Sequence, residues 1–286
     1  MIKCDVPVSD RDHLPEPSSG LVDLLQCQLV GRPTPFRIFD QIHMNIEDAA
    51  RHIQLLSTYT EGKRIVFMGD SDGIALGLIN SAGNGLVPAP ASVTLCDFDD
   101  RVLDFVRAGV QTFASTPSVA FQRYNVFAPL PHNLKGAFDF FHTNPPYGMY
   151  NNGKSVIAFL MRCFEAVRHS GDGIVVLGND SRRSWTGDVL RSVLEYLVER
   201  EITPSRIFHR IHRYAIDDDP ELESGMVYCH SVPSSANTHD SSWLGPEFLE
   251  SFYGRETISI PEYISSKGAI IYGRGLSSGL DPEEED

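Results

Sequence analysis

Cysteine is scarce and scattered. The five residues (Cys4, Cys27, Cys96, Cys163, Cys229) are odd in number and never stand in C-x-x-C spacing. That argues against a disulfide framework and a zinc site, and for a reducing, cytoplasmic setting. No run of about 18 apolar residues occurs, so no membrane span is expected. The opening Met1-Ile2-Lys3-Cys4-Asp5 lacks the apolar core of a signal peptide. Positive charge is also short: 24 Lys and Arg face 38 Asp and Glu, a net charge of −14. Proteins that grip a phosphate backbone usually carry a basic face, so nucleic acid is disfavoured as a partner. A cationic small molecule fits the excess better, and solubility alone is the other reading of it. His142, His209 and His212 have no Glu or Cys at ligand spacing, so no metal is expected. Trp185 and Trp243, the two tryptophans, read as packing residues. There is no internal repeat, and the sequence leaves a homo-oligomer open.

Strand and helix patterns do alternate along the chain. Residues 1–35, rich in Pro, Ser and Asp, read as an N-terminal arm with one short helix near Leu21-Val22-Asp23-Leu24-Leu25. Residues 36–272 form the candidate domain. Asn45 reads as the N-cap of a helix over 45–56, with acids in its first turn. Strands are expected near 63–68, 92–99, 119–126, 138–143, 173–178, 202–208 and 226–232. Helices are expected over 74–79, 101–106, 155–167 and 188–201. Apolar runs ended by Gly or acids suit strands buried on both faces. The alternation implies an α/β fold with a doubly wound, mostly parallel sheet. Residues 273–286 end in Glu283-Glu284-Glu285-Asp286, an acidic tail whose composition predicts disorder.

Two stretches carry the chemistry. Gly69-Asp70-Ser71-Asp72-Gly73 follows a strand and precedes a helix, a turn that lets a ligand approach bare backbone. Two aspartates there disfavour a phosphate and favour a cationic nucleoside. S-adenosylmethionine and its decarboxylated form are such nucleosides, each with a sulfonium and an amine. Asp97, ending the next strand beside Phe98, is placed for ribose hydroxyls, and Asn125 and Val126 for adenine. Farther on, Asn144-Pro145-Pro146-Tyr147 breaks a buried strand, because a central strand cannot hold proline. The carbonyls of Asn144 and Pro145 could hold an amine N–H, with Tyr147 as a flat packing face. Asp217, Asp218 and Asp219 open an acidic run that could bind a polyamine, or could be a solvated loop.

In that order, these residues resemble class I S-adenosylmethionine-dependent transferases, and the Asn-Pro-Pro-Tyr tetrad is similar to that of amino-nitrogen methyltransferases. A narrower resemblance runs from about residue 36 to about 230, through Phe39-Asp40-Gln41, Gly62-Lys63-Arg64-Ile65-Val66-Phe67-Met68-Gly69-Asp70-Ser71-Asp72 and Asp97-Phe98-Asp99-Asp100-Arg101-Val102-Leu103-Asp104-Phe105. Here the chain resembles the branched-chain polyamine synthases, the N(4)-bis(aminopropyl)spermidine synthase family. The resemblance implies a Rossmann-like fold and aminopropyl transfer from decarboxylated S-adenosylmethionine to a polyamine nitrogen. That family tends to have Asp where this chain has Asn144.

The two stretches pull apart. Asn144 suits a ring or amide nitrogen, which needs only an acceptor, and so favours methyl transfer. Asp70 and Asp72 would repel the carboxylate of intact S-adenosylmethionine, and so favour the decarboxylated donor. One such contact at about 4 Å costs about 4 kcal/mol at an effective dielectric of about 20. The other reading of this pair is that one aspartate caps the helix and the other binds the donor's ammonium. A transferase fold that binds without turnover is the third class, and the complete tetrad together with Asp97 argues against it.

Overall fold

Ile65, Val66, Phe67 and Met68 are four consecutive buried apolar side chains, as a strand covered on both faces requires. They form β1 (Arg64–Met68), at the middle of a sheet with β2 (Ser92–Asp97), β3 (Ser118–Arg123), β4 (Phe140–Thr143), β5 (Asp172–Gly178), β6 (Ile202–Arg213) and β7 (Glu223–Ser231). The computed structural model describes residues 9–114, 116–168, 170–216, 219–231, 241–255 and 259–273. The strand order is β3-β2-β1-β4-β5-β7-β6. β1 to β5 run parallel, and β7 runs antiparallel to both β5 and β6. The expected doubly wound, mostly parallel sheet is therefore present, in Rossmann-like form.

The chain builds outward from β1 to β3, then returns to place β4 on the other side of β1. That reversal opens a crevice at the carboxyl ends of β1 and β4. Thr143 Oγ1 donates to Met68 O at 2.8 Å and holds those two ends together. β4 stops at Thr143, immediately before Asn144-Pro145, as the missing proline N–H demands.

The helices are α1 (Ser19–Leu29), α2 (Ile46–Thr60), α3 (Ile74–Gly83), α4 (Asp100–Gly109), α5 (Lys154–Ala166) and α6 (Ser184–Glu199). Leu21, Leu25 and Leu29 of α1 are buried in the same hydrophobic core as the strands. The fit is close at Gly77, where a Cβ would stand 2.5 Å from Ile53 Cδ1 and 2.8 Å from Leu25 Cδ2. A short hairpin, β8 (Tyr263–Ile264) with β9 (Ile270–Ile271), docks where Ile264 N donates to Phe98 O at 2.9 Å.

Several boundaries differ from expectation. β3 ends at Arg123, not 126, because Asn125 turns the chain: its Oδ1 accepts from Phe127 N at 3.0 Å. Asn45 stands at the N-cap of α2, yet its side chain makes no capping bond. α6 begins at Ser184, four residues before the expected 188. Trp243 is exposed rather than packed, whereas Trp185 lies against the core. Among the described residues, no helix is long and apolar enough to cross a membrane. The acidic tail from 274 onward, Asp217 and Asp218 lie outside the described residues.

Candidate active site

The turn after β1 is shaped by backbone conformation and one carboxylate. Gly69 and Gly73 both have positive φ, 77° and 74°, which glycine adopts without steric cost. Asp70 reaches forward to α3, and its two carboxylate oxygens accept from Ile74 N and Ala75 N, each at 2.9 Å. It thereby satisfies two of the helix's orphan donors. Burial raises its pKa well above the ordinary carboxylate range. Asp97, at the end of β2, accepts from Asp70 N and Asp99 N, both at 2.9 Å. Burial and then the neighbouring Asp99 charge push Asp97 up to about 7.

Above this turn lies an open cavity. Phe39, Phe98, Phe159 and Tyr253 supply its aromatic wall, and Met68 and Val126 add apolar surface. Phe98 and Tyr253 lie nearly parallel, 6.0 Å apart at 21°. Phe39 meets Tyr253 edge-on at 5.2 Å. The polar lining is Asp40, Gln41, Asp70, Ser71, Asp97, Tyr124, Asn125 and Asn144, so among the described residues no Lys, Arg or His lines it. Asn125 Nδ2 donates to Pro261 O at 2.6 Å, which ties the C-terminal segment over this side.

A second, smaller cavity adjoins the first, lined by Asp40, Ile42, Ser71, Asn144, Pro145 and Tyr147. Asn144 stands between them with its carboxamide oriented. Its Nδ2 donates to Asp72 Oδ2 at 2.7 Å, which leaves the carbonyl oxygen as the group that can receive an N–H. Asp72 is itself held by Met44 N at 2.6 Å and by Arg32 at 3.9 Å. Tyr147 N donates to Asp40 Oδ2 at 3.0 Å. The Tyr147 hydroxyl bonds that of Tyr214, which bonds Ser224 Oγ at 2.6 Å. From there the polar chain continues into the core: Ser224 to His212 at 2.9 Å, His212 to His52 at 2.9 Å, His52 to His142 at 2.8 Å. Among the described residues, no group of three His, Cys, Asp or Glu side chains is arranged to hold a metal.

The profile of the family described as "Branched-chain polyamine synthase A C-terminal domain" matches residues 25–243. The chain belongs to that family. Its fold is shared with the branched-chain polyamine synthase from Thermus thermophilus, solved with N4-aminopropylspermidine and 5′-methylthioadenosine. That pair superposes with a TM-score of 0.64 at 18% identity, covering 81% of this chain and 69% of the other. A candidate RNA methyltransferase from Pyrococcus horikoshii shares the fold at a TM-score of 0.54 and 16% identity, over 75% of this chain and 98% of that one. An uncharacterized protein of Methanocaldococcus jannaschii is 30% identical over 113 residues, 39% of this chain. The match spans a quarter (25%) of that relative's length.

Within this polyamine-synthase-family chain, Gly69, Asp70, Asp97, Phe98, Asn125, Val126 and Asn144 line the larger cavity, and Asn144, Pro145 and Tyr147 the smaller. Asp72 and Gly73 line neither. Asp72 points behind Asn144, and Gly73 begins α3 against Leu29 and Phe105. Asp219 stands apart from both cavities, ion-paired with Arg183, and Glu221 and Glu223 of the same acidic run pair with arginines too. Sequence reasoning gave no site role to Asp40, Gln41, Phe39 or Tyr253. The first three stand in a stretch that carries the family resemblance, which was the available signal. Tyr253 has no local signal, because it arrives from more than a hundred residues beyond the tetrad.

Proposed function

We propose that this chain transfers an aminopropyl group from decarboxylated S-adenosylmethionine to a polyamine nitrogen. The observation that carries this reading is the lining of the larger cavity: three carboxyl side chains line it, and among the described residues no cationic side chain does. Intact S-adenosylmethionine brings a carboxylate that would find no cation there. The decarboxylated donor brings only a sulfonium and an ammonium. Asp97 accepts from backbone N–H groups of Asp70, Asp99 and Phe98, and a carboxylate with roughly four lone-pair positions keeps acceptor capacity for a ribose hydroxyl. The aromatic and apolar wall, with Val126 and Asn125, takes the adenine. The donor supplies its own leaving group, so the protein's part is to position and to stabilise charge. The carbonyl of Asn144, with that of Pro145, receives an N–H of the acceptor, and Tyr147 packs against its chain. Asp72 serves as the residue that orients Asn144, a different part from donor selection.

Methyl transfer to an amino nitrogen is the second reading. It is favoured by Asn144, a neutral acceptor suited to a ring or amide nitrogen. Incubating the protein with each donor and spermidine, then measuring product mass, separates the two. The expected outcome is an aminopropylated polyamine with 5′-methylthioadenosine from the decarboxylated donor alone. A methylated product, or tighter calorimetric binding of intact S-adenosylmethionine, would sink the aminopropyl reading.

A further inference from the structure

The two cavities share Asp40, Ser71 and Asn144, so a donor carbon and an acceptor nitrogen placed in them meet beside these three residues. An alkylamine acceptor arrives as an ammonium, because such amines titrate near the lysine value of about 10.4. It has no lone pair until a proton leaves. Among the described residues, six line the smaller cavity, where the acceptor would sit. Ile42 and Pro145 cannot take a proton. Asn144 is a carboxamide and Ser71 a neutral hydroxyl. The Tyr147 phenol is committed to Tyr214, and burial holds its pKa well above the ordinary value. Asp40 remains.

We propose that Asp40 is a catalytic residue whose carboxylate holds the acceptor ammonium at the junction of the cavities and takes one proton from it before attack. This rests on the alkyl-transfer reading above. Asp40 closes the short turn Arg37–Phe39 with φ 57°, a left-handed conformation that Asp tolerates. Among the described residues, its carboxylate makes one hydrogen bond, from Tyr147 N at 3.0 Å, which ties it to the tetrad and leaves lone pairs for a substrate. Arg37 on its own turn favours its charged form. Asp70 and Asp97 face the same donor cavity, and Asp72 lies behind Asn144. Burial pushes Asp40 up to about 6, and the same burial lowers the pKa of an ammonium. Burial thus narrows the gap between the two pKa values, while their mutual attraction holds the ion pair until the proton moves.

The step balances as follows. One N–H proton of the ammonium moves to the Asp40 carboxylate, leaving a neutral amine. Its lone pair forms a bond to the aminopropyl carbon attached to sulfur. The carbon–sulfur bond breaks, its electron pair stays on sulfur, and neutral 5′-methylthioadenosine leaves. The product nitrogen carries the positive charge, and Asp40 returns its proton to water.

Asp40→Asn is the decisive variant. Asn accepts the same Tyr147 N–H and tolerates the same backbone conformation. The expected result is a kcat for spermidine lower by about 100-fold or more, with 5′-methylthioadenosine bound as tightly as by the native protein. An acceptor whose amine titrates near about 7, such as a fluorinated polyamine, arrives partly unprotonated and restores turnover in the variant. Native-like turnover of spermidine by Asp40→Asn would overturn the assignment and leave the aminopropyl reading standing. Loss of 5′-methylthioadenosine binding together with turnover would make Asp40 a structural residue, and overturn it too. If the native protein transfers nothing from the decarboxylated donor, the functional reading and this inference fall together.

Discussion

Asp97 is one of three carboxyl side chains lining the larger cavity, and under the proposed function it faces the donor. Its pKa stands near about 7 because its charge is buried beside Asp99. A bound sulfonium and ammonium favour the ionised form, so donor binding must displace the proton that Asp97 holds in part near neutrality. The sign follows. Below pH 7 the empty cavity is increasingly protonated, and a cationic donor binds more weakly as pH falls. For this one group the affinity at pH 6 is about tenfold lower than at pH 8. Calorimetry at both values, in buffers of different ionisation enthalpy, reads the affinity and the proton released together. Affinity independent of pH would remove Asp97 from the donor site. Asp70 is unlike Asp97, because both its oxygens already serve α3. That one aspartate of the turn caps the helix was one of two readings of the motif, but that it is Asp70, holding both Ile74 N and Ala75 N, depends on how the turn closes.

At the scale of elements, α2, β4, β6 and β7 are joined by polar bonds through the core. His52, His142 and His212 are buried, and burial is the first cause lowering each pKa, His52 to about 4 and the other two well below the ordinary value. All three are therefore neutral, with one N–H each. Among the described residues, His142 Nδ1 has no partner. An unpaired buried N–H costs more than an unpaired lone pair, so the His142 proton sits on Nε2. The donors then run in one direction, from His142 through His52, His212, Ser224 and Tyr214 to Tyr147. A folded pKa below the unfolded value means that the unfolded state binds more protons in acid. The stability from neutral His52 is thus present above about 6.5 and is lost as pH falls toward 4, about 2 kcal/mol between pH 7 and 5. His52→Asn destabilises the protein at pH 7, and the difference from native narrows by up to about that amount at pH 5. Urea unfolding at the two pH values measures it, and a constant difference would contradict the neutral chain. In the sequence, His142 and His212 read as ordinary core or surface histidines. The third member, His52, belongs to an amphipathic helix whose pairing with β4 and β6 no local pattern discloses.

Among the described residues, the seven-stranded sheet and its helices share one hydrophobic core, the β8–β9 hairpin forms a separate small sheet, and the first helix belongs to the core. Leu25 is fully buried against α3, beside the backbone of Gly77. Leu25→Ala lowers unfolding free energy by about 2–5 kcal/mol, the usual range for a buried leucine. A chemical-denaturation midpoint close to native would show that α1 docks weakly. Ion pairing within the fold also changes the reading of the acidic runs. Asp48, Asp180 and Glu223 are buried and bonded to arginines, so much of the negative charge serves internal contacts rather than a partner.

What the sequence determined by itself was set by short-range physics. Apolar runs and their endings at Gly69, Asp97 and Asn144 are local signals of strands buried on both faces, and they led to the α/β class and the two chemical stretches. Helix α1 and the ends of β1, β4 and β5 were legible for the same reason, whereas the end of β3 was set by the turn at Asn125. Tertiary structure decided which carboxylates line the larger cavity. Asp70 and Asp72 lie two residues apart in one turn, yet one caps α3 at the cavity wall and the other turns behind Asn144. Asp40, Tyr253 and His52 gained their places from contacts between segments far apart in the chain. Packing between distant segments fixes burial and partners, and through them charge, so no residue's local neighbours could have named them.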